Sequence, residues 1–140
     1  MRRWTFLVFC LISCCFPSEN IAQENKTGSE KARRVVALSS LSADLVVSIN
    51  PDALIGVPGT SLTNQDSRYS GLKRVSNGRS QPSVELILAL KPDLVIGAEG
   101  FHSRVLSSLK KLGVPTLAVK VNRWDKLEQA SRTLENKIVD

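Results

Sequence analysis

The side chains best suited to chemistry are few in this chain. His102 is the only histidine and Tyr69 the only tyrosine among 140 residues. An imidazole can transfer a proton or bind a metal ion, but one titratable group is not a catalytic constellation. A zinc site needs three or four N, O or S ligands, so a free divalent ion is a disfavoured ligand. His102 either faces a ligand or starts a helix in water, and Tyr69 either contacts a ligand or covers apolar surface.

Three serines, Ser39, Ser40 and Ser42, place hydroxyl groups after the first apolar run, where a helix start offers a modest anion or carboxylate site. The chain has no nucleophile elbow, P-loop or dinucleotide fingerprint, and its carboxylates form no general acid/base pair. Ser39 or Ser40 with His102 is the one possible nucleophile–base pair. A small cell-envelope hydrolase is therefore an alternative, but we predict a binding protein without a cofactor.

The elements that must position these residues alternate from Arg34 onward. Apolar runs predict strands, and helical periodicity predicts helices. The strands are predicted at 35–38, 53–57, 74–75, 94–96 and 116–121, and the helices at 42–49, 82–90, 103–112 and from residue 125. Residues 60–73 are polar and are predicted to form a loop. This alternation predicts an α/β fold in which helices flank a parallel sheet.

Ligands of open α/β sheets bind beyond the carboxyl ends of the strands. That rule selects the loops 39–42, 58–69, 98–102 and 122–124. Phe101 lies in the third loop, where an aromatic ring can line a ligand face, since pockets favour apolar walls with a few polar groups. The candidate ligand-binding residues are Ser39, Ser40, Ser42, Tyr69, Phe101 and His102.

Residues 82–97, PSVELILALKPDLVIG, form the most informative stretch of the chain. Pro82 suits a first helical turn, and Pro92 ends the helix and forces Lys91 out of helical geometry. An apolar run then predicts a strand covered on both faces. Glu85 lies in the first turn of an apolar helix, where a carboxylate favours the positive helix end, and we expect it to point outward.

The same stretch resembles a signature of the substrate-binding proteins of ABC importers for cobalamin, haem and ferric siderophores. The resemblance rests on the spacing of Pro82 and Glu85 followed by Lys91-Pro92-Asp93-Leu94-Val95, preceded by RVVALSS and ALIGVPG in the expected order. It covers about residues 34–134. It implies one lobe of a two-lobed protein that clasps its ligand between lobes, so the chain is expected to be truncated.

The resemblance also implies function. The protein would capture a bulky metal chelate, namely a ferric siderophore, cobalamin or haem, and Glu85 would dock on the ABC permease, which works with its ATPase. Haem receptors that resemble this family often place a loop tyrosine on the iron, a role open to Tyr69. A lobe that docks as an adaptor without binding a ligand is a further alternative.

The N-terminus predicts export. Arg2 and Arg3 precede a short apolar core, and residues 11–14 (LISC) resemble a lipobox, in which Cys14 becomes lipidated. We favour cleavage before Cys14 over an ordinary signal cut after Ala22. The leader is thus 1–22, followed by a polar flexible tether at 23–33 and the lobe at 34–140. A lipid anchor alone would hold the protein to the membrane, in the periplasm or at the cell surface.

Composition is ordinary for a globular domain, with 42% hydrophobic and 23% charged residues. The net charge is +6, and basic residues are scattered without long runs. A nucleic-acid partner is therefore not indicated.

Overall fold

Five parallel strands form one sheet in the computed structural model of the protein, which describes residues 31–78, 80–120, 122 and 124–139. In chain order the strands are β1 (Val35–Ala37), β2 (Leu54–Gly59), β3 (Lys73–Asn77), β4 (Leu94–Ala98) and β5 (Thr116–Val119). Across the sheet their order is β3-β2-β1-β4-β5, so the chain begins in the middle and builds outward. The predicted parallel α/β sheet is confirmed.

Five α-helices alternate with these strands in the described residues: α1 (Ser40–Ile49), α2 (Ser61–Gln65), α3 (Val84–Ala89), α4 (Ser103–Lys111) and α5 (Trp124–Ile138). Short 3-10 turns occupy Pro51–Ala53 and Ser67–Tyr69. Across the described part of the chain, no helix is both long enough and apolar enough to cross a bilayer. The predicted leader with Cys14 and residues 23–30 of the predicted tether lie outside the described residues.

The last residues of the predicted tether make contacts with the fold. Ala32 is buried and donates its N–H to the carbonyl of Lys137 near the end of α5, at 2.6 Å. Lys31 Nζ donates to the carbonyl of Asn136 at 3.0 Å. The chain therefore enters and leaves the described domain side by side, at the amino edge of the sheet.

The loop prediction for residues 60–73 is wrong, because this segment contains α2 and the second 3-10 turn. Its polar residues act as helix caps. Thr60 Oγ1 accepts the N–H of Thr63, and Asp66 accepts the N–H of Arg68. Side chains that cap helices are the same ones that favour turns, so composition alone does not separate the two.

Two other boundaries also differ from the prediction. Helix α1 begins at Ser40 with Ser39 as its N-cap, two residues earlier than predicted. Strand β2 continues through Pro58, although proline lacks an N–H for a central strand. Pairing with β3 shifts between Val57 and Gly59, and the pairing with β1 reaches only to Gly56. The proline therefore lies where the ladder is already irregular.

The core forms two layers, one on each face of the sheet. Val35 and Ala37 of β1 face the layer beneath α1 and α5, whereas Val36 faces the layer beneath α3 and α4. In the predicted strand 94–96, Leu94 and Ile96 join the first layer and Val95 the second. Both faces are thus buried, as expected for strands that read as continuous apolar runs.

A hydrogen-bonded clamp at the amino edge ties the two central strands together. The carboxylate of Asp93 accepts the backbone N–H groups of Arg33 and Arg34, each at 2.9 Å. In return the Arg34 guanidinium donates to the carbonyls of Leu90 at 2.6 Å and Lys91 at 3.1 Å. Lys91 has a φ of 49°, so it has left the right-handed helical region, which the following proline disfavours. The clamp fixes the register that sets Val35 opposite Leu94.

We expect Asp93→Ala to lower the free energy of unfolding by about 1 to 2 kcal/mol, because two backbone donors lose a charged acceptor at a partly solvated site. Asp93→Asn, which keeps one acceptor oxygen, should lose roughly half as much. Urea denaturation of the 140-residue chain measures both. Asp52→Ala is the control, and an equal effect there would show that the clamp has no special role.

Candidate functional site

A hollow of about 490 Å³ lies at the carboxyl edge of the sheet. Four segments that follow successive strands form its walls. They contribute Leu38, Ser39 and Ser40 after β1, Pro58 and Thr60 at the end of β2, Ser76, Gly78, Ser80 and Pro82 from β3 onward, and Ala98, Phe101 and His102 after β4. Proteins commonly bind small molecules in hollows of roughly 300 to 1,000 Å³. Because parallel strands end at one edge, segments distant in sequence meet here.

Two sets of hydrogen-bonded hydroxyl groups lie beside the hollow. Ser39 Oγ lies 2.7 Å from Ser42 Oγ and accepts the N–H of Ser42 at 3.1 Å as it caps α1. Ser40 Oγ lies 2.9 Å from Thr60 Oγ1, which lies 3.1 Å from Thr63 Oγ1. Ser42 is buried behind Ser39 and does not line the hollow. The predicted serine cluster is therefore split between the wall and the layer behind it.

His102 lines the hollow but is 4% exposed. Its Nδ1 accepts the backbone N–H of Ala98 at 3.0 Å, so the neutral ring carries its proton on Nε2. Burial lowers the pKa of His102 below its ordinary value of 6.5, which keeps the ring neutral at pH 7. A histidine that binds a metal usually donates its second N–H to a protein acceptor. Here that nitrogen accepts instead, and Nε2 has no free lone pair.

Phe101 is the aromatic residue at the rim of the hollow. Its side chain is 63% exposed, and its ring meets the imidazole of His102 edge to face, with centroids 4.8 Å apart. An exposed ring held against a buried one is already positioned for contact with a ligand. The structure thus brings Phe101 and His102 to the wall that also carries Ser39 and Ser40.

Tyr69 lies in the hydrophobic core and is not among the residues that line the hollow. Its side chain is 2% exposed within the layer beneath α1 and α5, and its hydroxyl donates to Asp44 Oδ1 at 2.6 Å. Burial, followed by the bond to Asp44, raises the pKa of Tyr69. Arg68 donates to the same Asp44 oxygen at 2.8 Å. The sequence alternative in which this tyrosine covers apolar surface matches its position.

The carboxylate of Glu85 is exposed in the first turn of α3, as predicted. It accepts a hydrogen bond from the hydroxyl of Ser83, the N-cap residue, at 2.7 Å. That bond, with the N–H of Glu85 itself, lowers the pKa of the carboxyl from its ordinary value of 4.5. Glu85 is therefore ionised at neutral pH and close to the hollow edge, because α3 begins there, next to Pro82.

Exposed apolar side chains surround the same edge. Leu41, Leu62 and Leu86 lie in the first turns of α1, α2 and α3, and all are more than 40% exposed. Helices that return from parallel strands begin at the carboxyl edge, so these leucines share it with Phe101. Exposed apolar residues grouped at one edge are typical of an interaction surface, for a ligand or for another protein.

Sequence reasoning missed the part of the wall built by Ser76, Gly78, Ser80 and Pro82. The rule that ligands bind beyond the carboxyl ends of the strands also selects the segment after β3. The strand predicted at 74–75 is short, and the loop that follows it is not among the four loops selected from the sequence. Thr60 was inside a selected loop and was not singled out. Its signal was its position as a threonine before a helix, which the loop prediction concealed.

Within the described residues, no group of three or more His, Cys, Asp or Glu side chains can hold a metal ion. The two serines that might have served a hydrolase are engaged with hydroxyl groups, while the imidazole Nδ1 is engaged with a backbone amide. The arrangement provides polar groups and an aromatic ring around a space, and no assembled nucleophile–base pair.

A family model described as periplasmic binding protein matches residues 35–135. A putative ABC transporter substrate-binding lipoprotein of Bacillus subtilis, YhfQ, is 34% identical over 95 residues, which cover 64% of this chain and 29% of the relative.

Solved structures with the same fold include the periplasmic vitamin B12 binding protein BtuF of Vibrio cholerae. Its TM-score is 0.67 at 24% identity, over 77% of this chain and 42% of that one. A periplasmic heme binding protein of Pseudomonas aeruginosa has a TM-score of 0.58 at 27% identity, over 76% and 40% of the two chains. The chain thus spans less than half the length of these relatives.

The burial of His102 predicts a pH dependence of stability. In the unfolded chain the ring binds a proton near its ordinary pKa of 6.5, whereas the folded chain binds it only at lower pH. The unfolded state therefore holds more protons as the pH falls below 6.5, and stability is lost. Relative to His102→Asn, which keeps an acceptor for the Ala98 N–H, the native chain should lose stability between about pH 7 and about pH 5. Parallel pH profiles in urea denaturation would contradict this.

Proposed function

The chain belongs to the periplasmic binding protein family, and from that premise we propose that it is the extracytoplasmic solute-binding component of an ABC importer. Its ligand is a bulky metal chelate: a ferric siderophore, a cobalamin or haem. The observation that carries the proposal is the hollow of about 490 Å³ at the carboxyl edge of the sheet, with an exposed aromatic ring at its rim. The similarity of the chain to a vitamin B12 binding protein and to a heme binding protein supports this ligand class.

Binding rather than catalysis fits the chemistry of the hollow. A hydrolase would need Ser39 or Ser40 activated by His102, and these groups are hydrogen-bonded elsewhere. An adaptor lobe would dock without a ligand and would have no use for an exposed ring at the rim of a hollow. We therefore rank the solute-binding role above both alternatives.

One wall encloses a ligand less than two would. In the two-lobed arrangement that the family resemblance implies, this edge faces a second lobe, and the ligand lies between them. The affinity of the 140-residue chain alone is then weak, because much of the ligand surface stays in water.

The proposed partners are the ABC permease and its ATPase. Glu85 is ionised, exposed and at the edge that carries the hollow, so it is placed to form a charge-assisted pair with a permease arginine. Leu86, its exposed neighbour, extends the same surface with apolar area.

We place the protein outside the cytoplasm, held to the membrane by a lipid on Cys14. The curated relative is described as a lipoprotein, which supports this assignment. The described chain enters the domain at the amino edge of the sheet, opposite the hollow. A Cys14→Ser protein that stays in the membrane fraction would overturn the anchor.

The ligand class is tested by titrating the 140-residue chain with a corrinoid, haem and a ferric siderophore, using the absorption band of each. We expect at least one to bind, with Phe101→Ala weakening binding roughly two- to tenfold because an aromatic contact is lost. Leu112→Ala is the matched control, since it removes an exposed apolar side chain at the far end of α4. Binding of none of the three, or tight selective binding of zinc or manganese, would refute the proposal.

Docking is tested separately with Glu85→Ala in cells that carry the cognate permease. Transport should fall about tenfold or more, since removing one partner of an interfacial ion pair leaves the other unpaired. Ligand affinity and the unfolding midpoint should stay nearly constant. Glu135→Ala, an exposed carboxylate on α5, is the control. Normal transport by Glu85→Ala, or loss of ligand binding in the isolated protein, would exclude a docking role.

A further inference from the structure

The loop between β4 and α4 is closed by one residue, His102. Its backbone N–H donates to the carbonyl of Ala98 at 3.0 Å, and its Nδ1 accepts the N–H of Ala98, also at 3.0 Å. A further bond shapes the turn inside the loop, because Gly100, at a φ of 83°, donates its N–H to Ser103 Oγ at 2.9 Å. His102 therefore ties together the two ends of the segment that carries Phe101.

The imidazole takes the place of a strand partner at the end of β4. Leu38 donates its N–H to the carbonyl of Ile96, so Ile96 faces β1. Ala98 faces the same side, because the direction of the backbone groups alternates along a parallel strand. Strand β1 ends at Ala37, and the imidazole accepts the N–H of Ala98 instead. This partly buried amide would lose its partner if Nδ1 could not accept.

The same imidazole supports the exposed aromatic ring at the rim of the hollow. The Phe101 side chain is 63% exposed, whereas His102 is 4% exposed, and their rings meet edge to face with centroids 4.8 Å apart. Gly97 lies directly against His102, since a Cβ at Gly97 would come within 2.9 Å of the His102 Cβ. The histidine thus packs against the end of the strand and against Phe101 at once.

We propose that His102 is a positioning residue for the ligand: its neutral imidazole holds the loop closed with Phe101 at the rim, and its protonation opens the loop and weakens ligand binding. A protonated ring carries hydrogens on both nitrogens, so Nδ1–H and the Ala98 N–H would be two donors facing each other. The ring then leaves the end of the strand, and Phe101 loses its support. The ligand part of this inference rests on the proposed function, whereas the loop part rests on the hydrogen bonds alone.

The surroundings of His102 favour the neutral ring. Burial lowers its pKa below the ordinary value of 6.5. The described residues that line the hollow, from the ends of β1, β2, β3 and β4, include no charged side chain. On the histidine's own segment Glu99 and Arg104 are exposed, as is Glu85 at the start of α3. Arg79, which follows a lining residue in the sequence, falls outside the described residues.

The first test follows the loop without a ligand. His102 is the only histidine, so its ring signals are unambiguous in NMR spectra of the untagged 140-residue chain. Fluorine NMR of the chain labelled with fluorophenylalanine follows Phe101, whose signal is identified with Phe101→Leu. Between about pH 7.5 and about pH 4.5 we expect both signals to shift with one midpoint, which lies below pH 6.5.

Two outcomes of this titration would overturn the inference. One is a Phe101 signal that does not follow the titration of His102. The other is an imidazole that stays neutral down to the pH at which the ring of Tyr69, 2% exposed in the core, loses its native signal. The shared midpoint should persist in Arg79→Gln, and its loss there would also contradict a role for the Nδ1 bond.

The second test measures binding of a corrinoid, haem and a ferric siderophore over the pH range in which Tyr69 keeps its native signal. Below the midpoint of His102, affinity should fall by up to about tenfold per pH unit, because the neutral form binds the ligand. His102→Asn keeps an acceptor for the Ala98 N–H and does not titrate, so its affinity should lose this pH dependence. His102→Ala has no acceptor and should bind about tenfold more weakly than His102→Asn at every pH.

Ser107→Ala, which removes an exposed hydroxyl group on α4, is the control and should keep the native pH profile. Equal pH profiles for the native chain and His102→Asn would overturn the inference and leave the proposed function standing. If none of the three chelates binds, the proposed function fails, and the NMR titration by itself decides whether His102 positions Phe101.

Discussion

The clamp between Asp93 and the Arg33-Arg34 backbone is the constraint on which the rest of the structure depends. It joins the end of α3 to the start of β1 and aligns the two central strands before either reaches the carboxyl edge. A slip of one residue in this register would turn each β1 side chain to the opposite face of the sheet, away from the layer that it packs against. The Arg34 guanidinium completes the clamp by satisfying carbonyls that the end of α3 leaves without partners.

The register set at one edge determines the geometry at the other. Leu38 donates its N–H to Ile96 at 2.8 Å, so the segments that follow β1 and β4 leave the sheet side by side. One carries Ser39 and Ser40, and the other carries Phe101 and His102. Gly97 makes the second segment possible, because a Cβ there would lie 2.9 Å from the Cβ of His102. The imidazole can fold back onto the strand end only over a glycine.

The same hydroxyl groups serve the fold and the hollow. Ser39 and Thr60 cap α1 and α2, Ser83 caps α3, and each cap lies at the carboxyl edge because that is where helices begin. Ser39 and Thr60 therefore line the hollow and cap a helix with the same hydroxyl group.

The sequence by itself determined the α/β class, the order of the five strands and of four of the five described helices, the stop at Pro92 and the outward position of Glu85. These follow from periodicity, proline geometry and helix-end electrostatics, all of which act over a few residues. It also placed Phe101, His102, Ser39 and Ser40 at the edge where the hollow lies, because the carboxyl-end rule needs only the order of the elements.

Only the tertiary structure decided the rest. Tyr69 is buried in the core, where its hydroxyl donates to Asp44, which is 25 residues away in the sequence. The tautomer of His102 depends on how β4 ends, and the hydrogen bond between Ser40 and Thr60 depends on two segments that are distant in sequence and meet at the carboxyl edge. Ser76, Gly78, Ser80 and Pro82 reach the site through the pairing of β3 with β2. Local sequence patterns show which side chains can form hydrogen bonds. The partner of each side chain is set by contacts between segments that are distant in the sequence.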